Sequence, residues 1–175
     1  AKLLAKLGRL KRAEKLIIRA WKTAPHPDLA DALVQISEAS TPLGRIKVLE
    51  PLLSARPDES EGHLALASAS LDASLWGAAR EHLGQAGRGI ADQRLWRLMA
   101  RLEEGENNDE GASRKWLLKA SKAPSEPIWQ CRLCGETAGK WLIQCLACEA
   151  VDTLEWGVSR SGDTVETGRE LDFSS

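Results

Sequence analysis

Gln93-Arg94-Leu95-Trp96-Arg97-Leu98-Met99-Ala100-Arg101-Leu102-Glu103-Glu104 is the stretch from which the fold can be read. Leu95, Leu98, Met99 and Leu102 recur at steps of three and four, which brings them to one face of a helix with 3.6 residues per turn. No strand-like alternation competes with that rhythm. The pattern runs outward to the N-terminus, where Leu10, Ala13, Ile17, Ala20 and Trp21 repeat it. Breaks arrive at regular intervals: Pro25-His26-Pro27, Ser40-Thr41-Pro42, Arg56-Pro57-Asp58, Asp72 to Ser74, Gly87 to Gly89, Gly105 to Asp109 and Ala123-Pro124. Between them the spacing predicts helices at 9–23, 28–39, 42–55, 58–72, 75–86, 90–104 and 109–122, after a short lead-in at 1–7.

The helices also repeat. Ala24, Ala55 and Ala86 stand 31 residues apart, and the helix ends at Ala20-Trp21, Leu52-Leu53 and Ala120 each precede a proline. In 93–126, Trp96, Met99, Ala100, Ala112, Trp116, Ala120 and Pro124 fall at the spacing of large, small, aromatic and proline positions that resembles the tetratricopeptide repeat family. Ala13, Ile17, Ala20 and Pro25 match half of an earlier unit, while Arg45 and Gly62 depart from the pattern in the middle ones. The resemblance implies an all-α solenoid of helical hairpins over 1–123. The first helix of each pair then lines a concave groove for a partner's peptide or helix. Arg94, Arg97 and Arg101 lie on one helix face and, with Gln35, Glu38 and His63, are the groove residues expected to meet a protein partner. The three arginines suit an acidic one.

Cys131, Cys134, Cys145 and Cys148 are the chain's only cysteines, and they form two CxxC pairs with ten residues between. Each pair bends the backbone into a knuckle with two sulfurs at one point, so two knuckles supply the four thiolates of a tetrahedral metal site. Zinc is the expected ion, and iron remains open because rubredoxin-type centres are also four-cysteine. Disulfides and thioredoxin-like redox chemistry are the weaker alternatives, since no βαβ pattern flanks either pair. Four thiolates around a divalent ion carry a formal charge of about −2, toward which Arg132 and Lys140 are placed to contribute. Trp129, Trp141 and Trp156 are expected as the small core of this ribbon at 124–157, and the polar segment 158–175 as a flexible tail.

The net charge is −1, but residues 1–22 hold eight lysines and arginines against Glu14 alone, a net +7 that leaves −8 for the remainder. A solvated helix face is the plain reading, and attraction to acidic lipid or RNA the sharper one. The ribbon window 129–156 has Arg132 and Lys140 against Glu136, Glu149, Asp152 and Glu155, which argues against nucleic acid as its ligand. No run approaches the ~18 apolar residues of a membrane span. No Ser-His-Asp set, glycine-rich phosphate loop, HExxH or CxxCH motif appears, so no small-molecule substrate and no catalysis are expected. The opening Ala-Lys-Leu-Leu, already in helical register without Met, leads us to expect further sequence upstream.

Helical repeats followed directly by Pro127-Ile-Trp-Gln-Cys131-Arg-Leu-Cys134-Gly135, Trp141-Leu-Ile-Gln-Cys145-Leu-Ala-Cys148 and Asp152-Thr-Leu-Glu-Trp156 resemble the C-terminal part of the HemY-like proteins of α-proteobacteria. These are membrane-anchored tetratricopeptide proteins named for haem biosynthesis. LapB, an adaptor in lipopolysaccharide assembly whose repeats end in a rubredoxin-like module, has a cousin architecture. Leu146 stands where such ribbons usually have proline, and Glu149 where they have glycine. The resemblance implies a non-enzymatic scaffold on the cytoplasmic face of a bacterial inner membrane, held there by an N-terminal segment outside this chain.

Overall fold

The computed structural model describes residues 1–158, so the segment read as a tail lies, apart from Val158, outside the described residues. The chain divides into two compact units, one of residues 1–125 and one that begins at Glu126. The first is helical: α1 (Lys2–Lys6), α2 (Leu10–Thr23), α3 (Pro27–Ser37), α4 (Pro42–Ala55), α5 (Ser60–Asp72), α6 (Trp76–Ala86), α7 (Gln93–Asn107) and α8 (Glu110–Lys122). The second holds a small antiparallel sheet of β1 (Ile128–Cys131), β2 (Thr137–Ala138) and β3 (Leu154–Gly157), in the order β2-β1-β3.

Local chemistry sets the helix ends. Pro27 and Pro42 open α3 and α4, where a missing N–H costs nothing. Side-chain acceptors meet the freed amides: Thr41 Oγ1 takes the Gly44 N–H at 3.1 Å, an Asp92 oxygen that of Arg94 at 2.9 Å, and an Asp109 oxygen that of Ala112 at 2.9 Å. Glu38 (φ 53°) and Asn108 (φ 52°) close α3 and α7 in the left-handed conformation.

The largest departure from the expected boundaries is at α7, which starts at Gln93 instead of 90 and ends at Asn107 instead of 104. The break anticipated at Gly105 falls three residues later, because Gly105 is inside α7 and serves packing. A Cβ there would come within 2.6 Å of the Trp76 ring, so the missing side chain makes room for that indole.

The helical unit has two buried clusters joined through α5. Ala13, Ile17 and Trp21 of α2 meet Leu33 and Ile36 of α3, Leu49 and Leu52 of α4, and Leu66 of α5. Leu64, Ala67 and Leu71 of α5 meet Ala79 and Leu83 of α6, with Leu95 and Leu102 of α7. Because α5 is covered on two sides, it shows no clean apolar stripe and buries even Ser70. It packs on α4 and α6, its neighbours in sequence, and also on α3 and α7, two helices away in either direction. The Trp21 ring of α2 reaches Gly62, where an added Cβ would stand at an ordinary contact distance of 3.4 Å.

Across the α5–α6 hairpin, His63 and His82 place their Nδ1 atoms 3.1 Å apart, while His63 Nε2 donates to the Pro57 carbonyl at 2.9 Å. Burial, with help from His63, holds the His82 pKa below its ordinary value. Trp96 of α7 and Trp116 of α8 lie parallel with centroids 5.6 Å apart, and the Lys119 ammonium sits 3.6 Å above the Trp96 ring.

Candidate metal centre and helix groove

The second unit is arranged around sulfur. β1 delivers Cys131 at its end, and the chain then turns through Cys134 and Gly135, whose φ of +76° no side chain opposes. Cys131 N–H donates to the Glu136 carbonyl at 2.8 Å, and Gly135 N–H to the Cys131 carbonyl at 2.9 Å. The second knuckle copies these bonds fourteen residues later. Cys145 N–H donates to the Ala150 carbonyl at 2.9 Å, and Glu149 N–H to the Cys145 carbonyl at 3.0 Å. Each knuckle is preceded by a glutamine whose side-chain amide donates back to it: Gln130 to the Gly135 carbonyl at 3.0 Å, and Gln144 to the Glu149 carbonyl at 2.9 Å. The first cysteine of each knuckle is buried and the second exposed. The site therefore has the local two-fold character of a four-sulfur shell.

The sulfurs fit an ion. Cys131 Sγ and Cys148 Sγ are 3.7 Å apart, Cys134 Sγ and Cys145 Sγ 3.5 Å, and all four lie within 4.8 Å of one another. A tetrahedron with metal–sulfur bonds of about 2.3 Å has edges of about 3.8 Å. The four cysteines can therefore hold a metal ion together.

Electrostatics within the cluster is uneven. A hydrogen bond from the Thr153 hydroxyl at 3.2 Å, aided by the backbone N–H groups of Cys134 and Leu133, brings the Cys131 thiol down to about 6. The N–H groups of Cys148 and Ala147 lower Cys145. For Cys134 the Glu136 N–H pulls the same way, but loss of solvent and the other three sulfurs outweigh it and push the thiol up to about 12. Four sulfurs this close repel one another as anions, and a shared divalent cation offsets that repulsion.

One sequence expectation changes here. Trp129 and Trp156 face each other across β1 and β3 with centroids 5.4 Å apart, but Trp141 is 46% exposed, and the buried cluster is Cys131, Cys145 and Leu154 with Leu142 and Ala138 alongside. Thr153, the hydroxyl donor to Cys131, has no motif to announce it. Arg132 and Lys140 are both exposed.

Glu149 stands where the first knuckle has Gly135. Its φ is 59°, the left-handed region that costs an ordinary side chain about 1 kcal/mol. Glu149→Gly is expected to release that strain and tighten metal retention by roughly 5-fold, read by competition with a chelator. Faster metal loss in the variant would show that the Glu149 side chain itself supports the knuckle.

The six expected groove residues separate into different environments. Arg94 is bound on both sides: Nη1 and Nη2 donate to the Glu61 carboxylate at 3.0 and 2.8 Å, and Nη2 and Nε to Asp92 at 2.7 and 3.0 Å. Those carboxylates raise its pKa further still, against burial that opposes the charge. Arg101 pairs with Asp72 at 2.9 Å, and Arg45 reaches the same carboxylate at 3.3 Å. Arg97 donates to Gln93 Oε1 at 2.8 Å. His63 is buried with both ring nitrogens engaged, and Glu38 is the left-handed cap of α3. Gln35 opens on a depression of about 420 Å³ between α3, α4 and α5, together with Asp31, Arg45, Ser68 and Asp72.

A second depression of about 310 Å³ between α3, α5 and α7 continues from it and shares Ala30, Asp31, Ala65 and Ser68, adding Glu61, Arg94 and Arg97. The arginines thus stand among Asp31, Glu61, Asp72 and Asp92. Local Asp92 and the carboxylates of α3 and α5, which no local pattern signals, make this groove nearly neutral. It is not the basic receptor expected from the arginine row.

Among the described residues no helix is long and apolar enough to cross a membrane. No family model matches the chain. The chain is similar to a probable magnetosome protein, Mms48, of Magnetospirillum gryphiswaldense, with 32% identity over 150 residues. That alignment takes in 85% of this chain and 33% of the relative, so the chain spans about a third of the relative's length.

Proposed function

We propose that the chain is a protein-interaction adaptor in which a tetratricopeptide-like repeat unit presents a partner-binding groove and a rubredoxin-like ribbon holds structural zinc. The observation that carries this reading is the groove itself. Ala30, Ala65 and Ser68 form a floor of small side chains on α3 and α5, over which a peptide or helix can lie close to the backbone. Mixed charges at its edge suit a partner of mixed sign more than an acidic one. Zinc is the ion proposed, iron being the alternative that the same four-thiolate shell would hold, and a closed shell leaves no position for a reacting water, which agrees with a non-enzymatic role.

By its likeness to HemY-like proteins, the whole protein is proposed to be anchored at the cytoplasmic face of a bacterial inner membrane and to serve haem biosynthesis. A LapB-like adaptor of envelope lipid regulation would use the same two parts. The relative's name supports a second reading, a role in the magnetosome.

Ser68→Leu adds apolar bulk to the groove floor and brings no charge to the ion pairs beside it. It is expected to weaken partner capture from native membranes on the order of tenfold or more, with helix content and metal content unchanged. Capture that is equal for the two proteins would place the partner site outside the groove.

A further inference from the structure

The outer face of α2 carries a charge that nothing within the described fold answers. Ala13, Ile17 and Trp21 bury one side of the helix, and Lys11, Arg12, Lys15, Arg19 and Lys22 occupy the other, all of them exposed. Glu14, the helix's one acid, points elsewhere and lines a depression with Leu33 and Lys47. None of the five cations makes an ion pair among the described residues, whereas Arg45, Arg56, Arg80, Arg94, Arg101 and Arg114 each hold a carboxylate. Apolar side chains flank this face. Leu3 and Leu7 are 78% and 73% exposed and Leu16 48%, and Leu4 and Leu16 line a shallow depression with Arg12, Lys15 and Arg19.

We propose that α1 and α2 form a docking surface for an anionic phospholipid bilayer, with the five cations among the headgroups and the exposed leucines at the acyl boundary. Clustered lysines and arginines are attracted to acidic lipid, and apolar side chains beside them add burial that a bare phosphate backbone does not provide. Nucleic acid, the competing polyanion, is matched less well. Its binding faces add aromatic stacking, and Trp21, the aromatic residue of this helix, is completely buried. The proposal stands apart from the groove and from any anchoring segment.

Sedimentation of the whole chain with phosphatidylglycerol vesicles, against phosphatidylcholine vesicles as reference, tests it. Binding is expected to be selective for the anionic vesicles and to weaken as salt is raised. Lys11→Gln, Arg12→Gln and Lys15→Gln together are expected to lower the partition coefficient roughly 100-fold, at about fivefold for each charge removed. Leu3→Ser with Leu7→Ser is expected to lower it several-fold at unchanged helix content. Equal binding to both vesicle types, or binding that survives the triple change, would overturn the proposal. So would leucine variants that bind as before, which would mark the face as a general polyanion site, or retention on RNA without retention on vesicles, which would mark it as a nucleic-acid site.

Discussion

Cys134→Ser is expected to abolish metal binding and unfold the second unit. The wild-type chain should carry about one zinc ion, and a structural zinc of this kind contributes roughly 10–16 kcal/mol of apparent binding energy. No hydrophobic cluster of three buried side chains can replace that. Removal of one sulfur leaves three in a shell built for four, and the Trp129–Trp156 contact across β1 and β3 should be lost with it, seen in tryptophan fluorescence and near-ultraviolet circular dichroism. Helix content should stay, because all eight described helices lie within residues 1–125. Acid should have the same effect on the wild-type chain, since protons compete with the ion for the thiolates. An ordered, metal-free second unit would contradict the assignment of the four cysteines.

Trp21→Ala is expected to cost about 3–5 kcal/mol, enough to unfold or nearly unfold the helical unit, whose total stability is on the order of 5–15 kcal/mol. Trp21 has no exposed surface and joins α2 to α5 through contact beside Gly62, where a smaller side chain leaves a cavity between two rigid helices. Trp21→Phe should cost clearly less. It keeps most of the ring and loses no hydrogen bond, because the buried Trp21 Nε1 has no partner among the described residues. Urea melts followed by helix content measure both, and an alanine variant with an unchanged midpoint would place the principal core elsewhere.

How much of this was legible in the sequence depends on the range of the interaction. Helix positions were readable because Pro25, Pro42 and Pro57 act on their own backbone within a residue or two. The metal site was readable because its ligands come in two short loops with fixed spacing. Gly105 misled because its local meaning, a helix stop, is overridden by the Trp76 ring arriving from α6. The groove misled for the same reason on a larger scale. Arg94, Arg97 and Arg101 are visible on one face, but Glu61 and Asp72, which occupy Arg94 and Arg101, lie about thirty residues away in the chain. The likeness of the two knuckles was partly in view, in the repeated Gln-Cys-x-x-Cys. Its content, a glutamine amide returning to the turn it precedes, needed coordinates.

The ties between α5 and α7 act as two pins in a plate. Arg94 fastens the start of α7 to the start of α5 through Glu61, and Arg101 fastens its middle to the end of α5 through Asp72. They add to an angle that the shared core of Leu64, Ala67 and Leu71 with Leu95 and Leu102 already sets. The pins are unequal in their exposure to solvent: the side chains of the first are 17% and 16% exposed, and those of the second 51% and 32%. Dissolved ions screen the outer pin and hardly reach the inner one. Rising ionic strength therefore weakens one fastening while the other stays set. High salt should thus cost the helical unit less than about 1 kcal/mol through the outer pair and leave the inner pair in place.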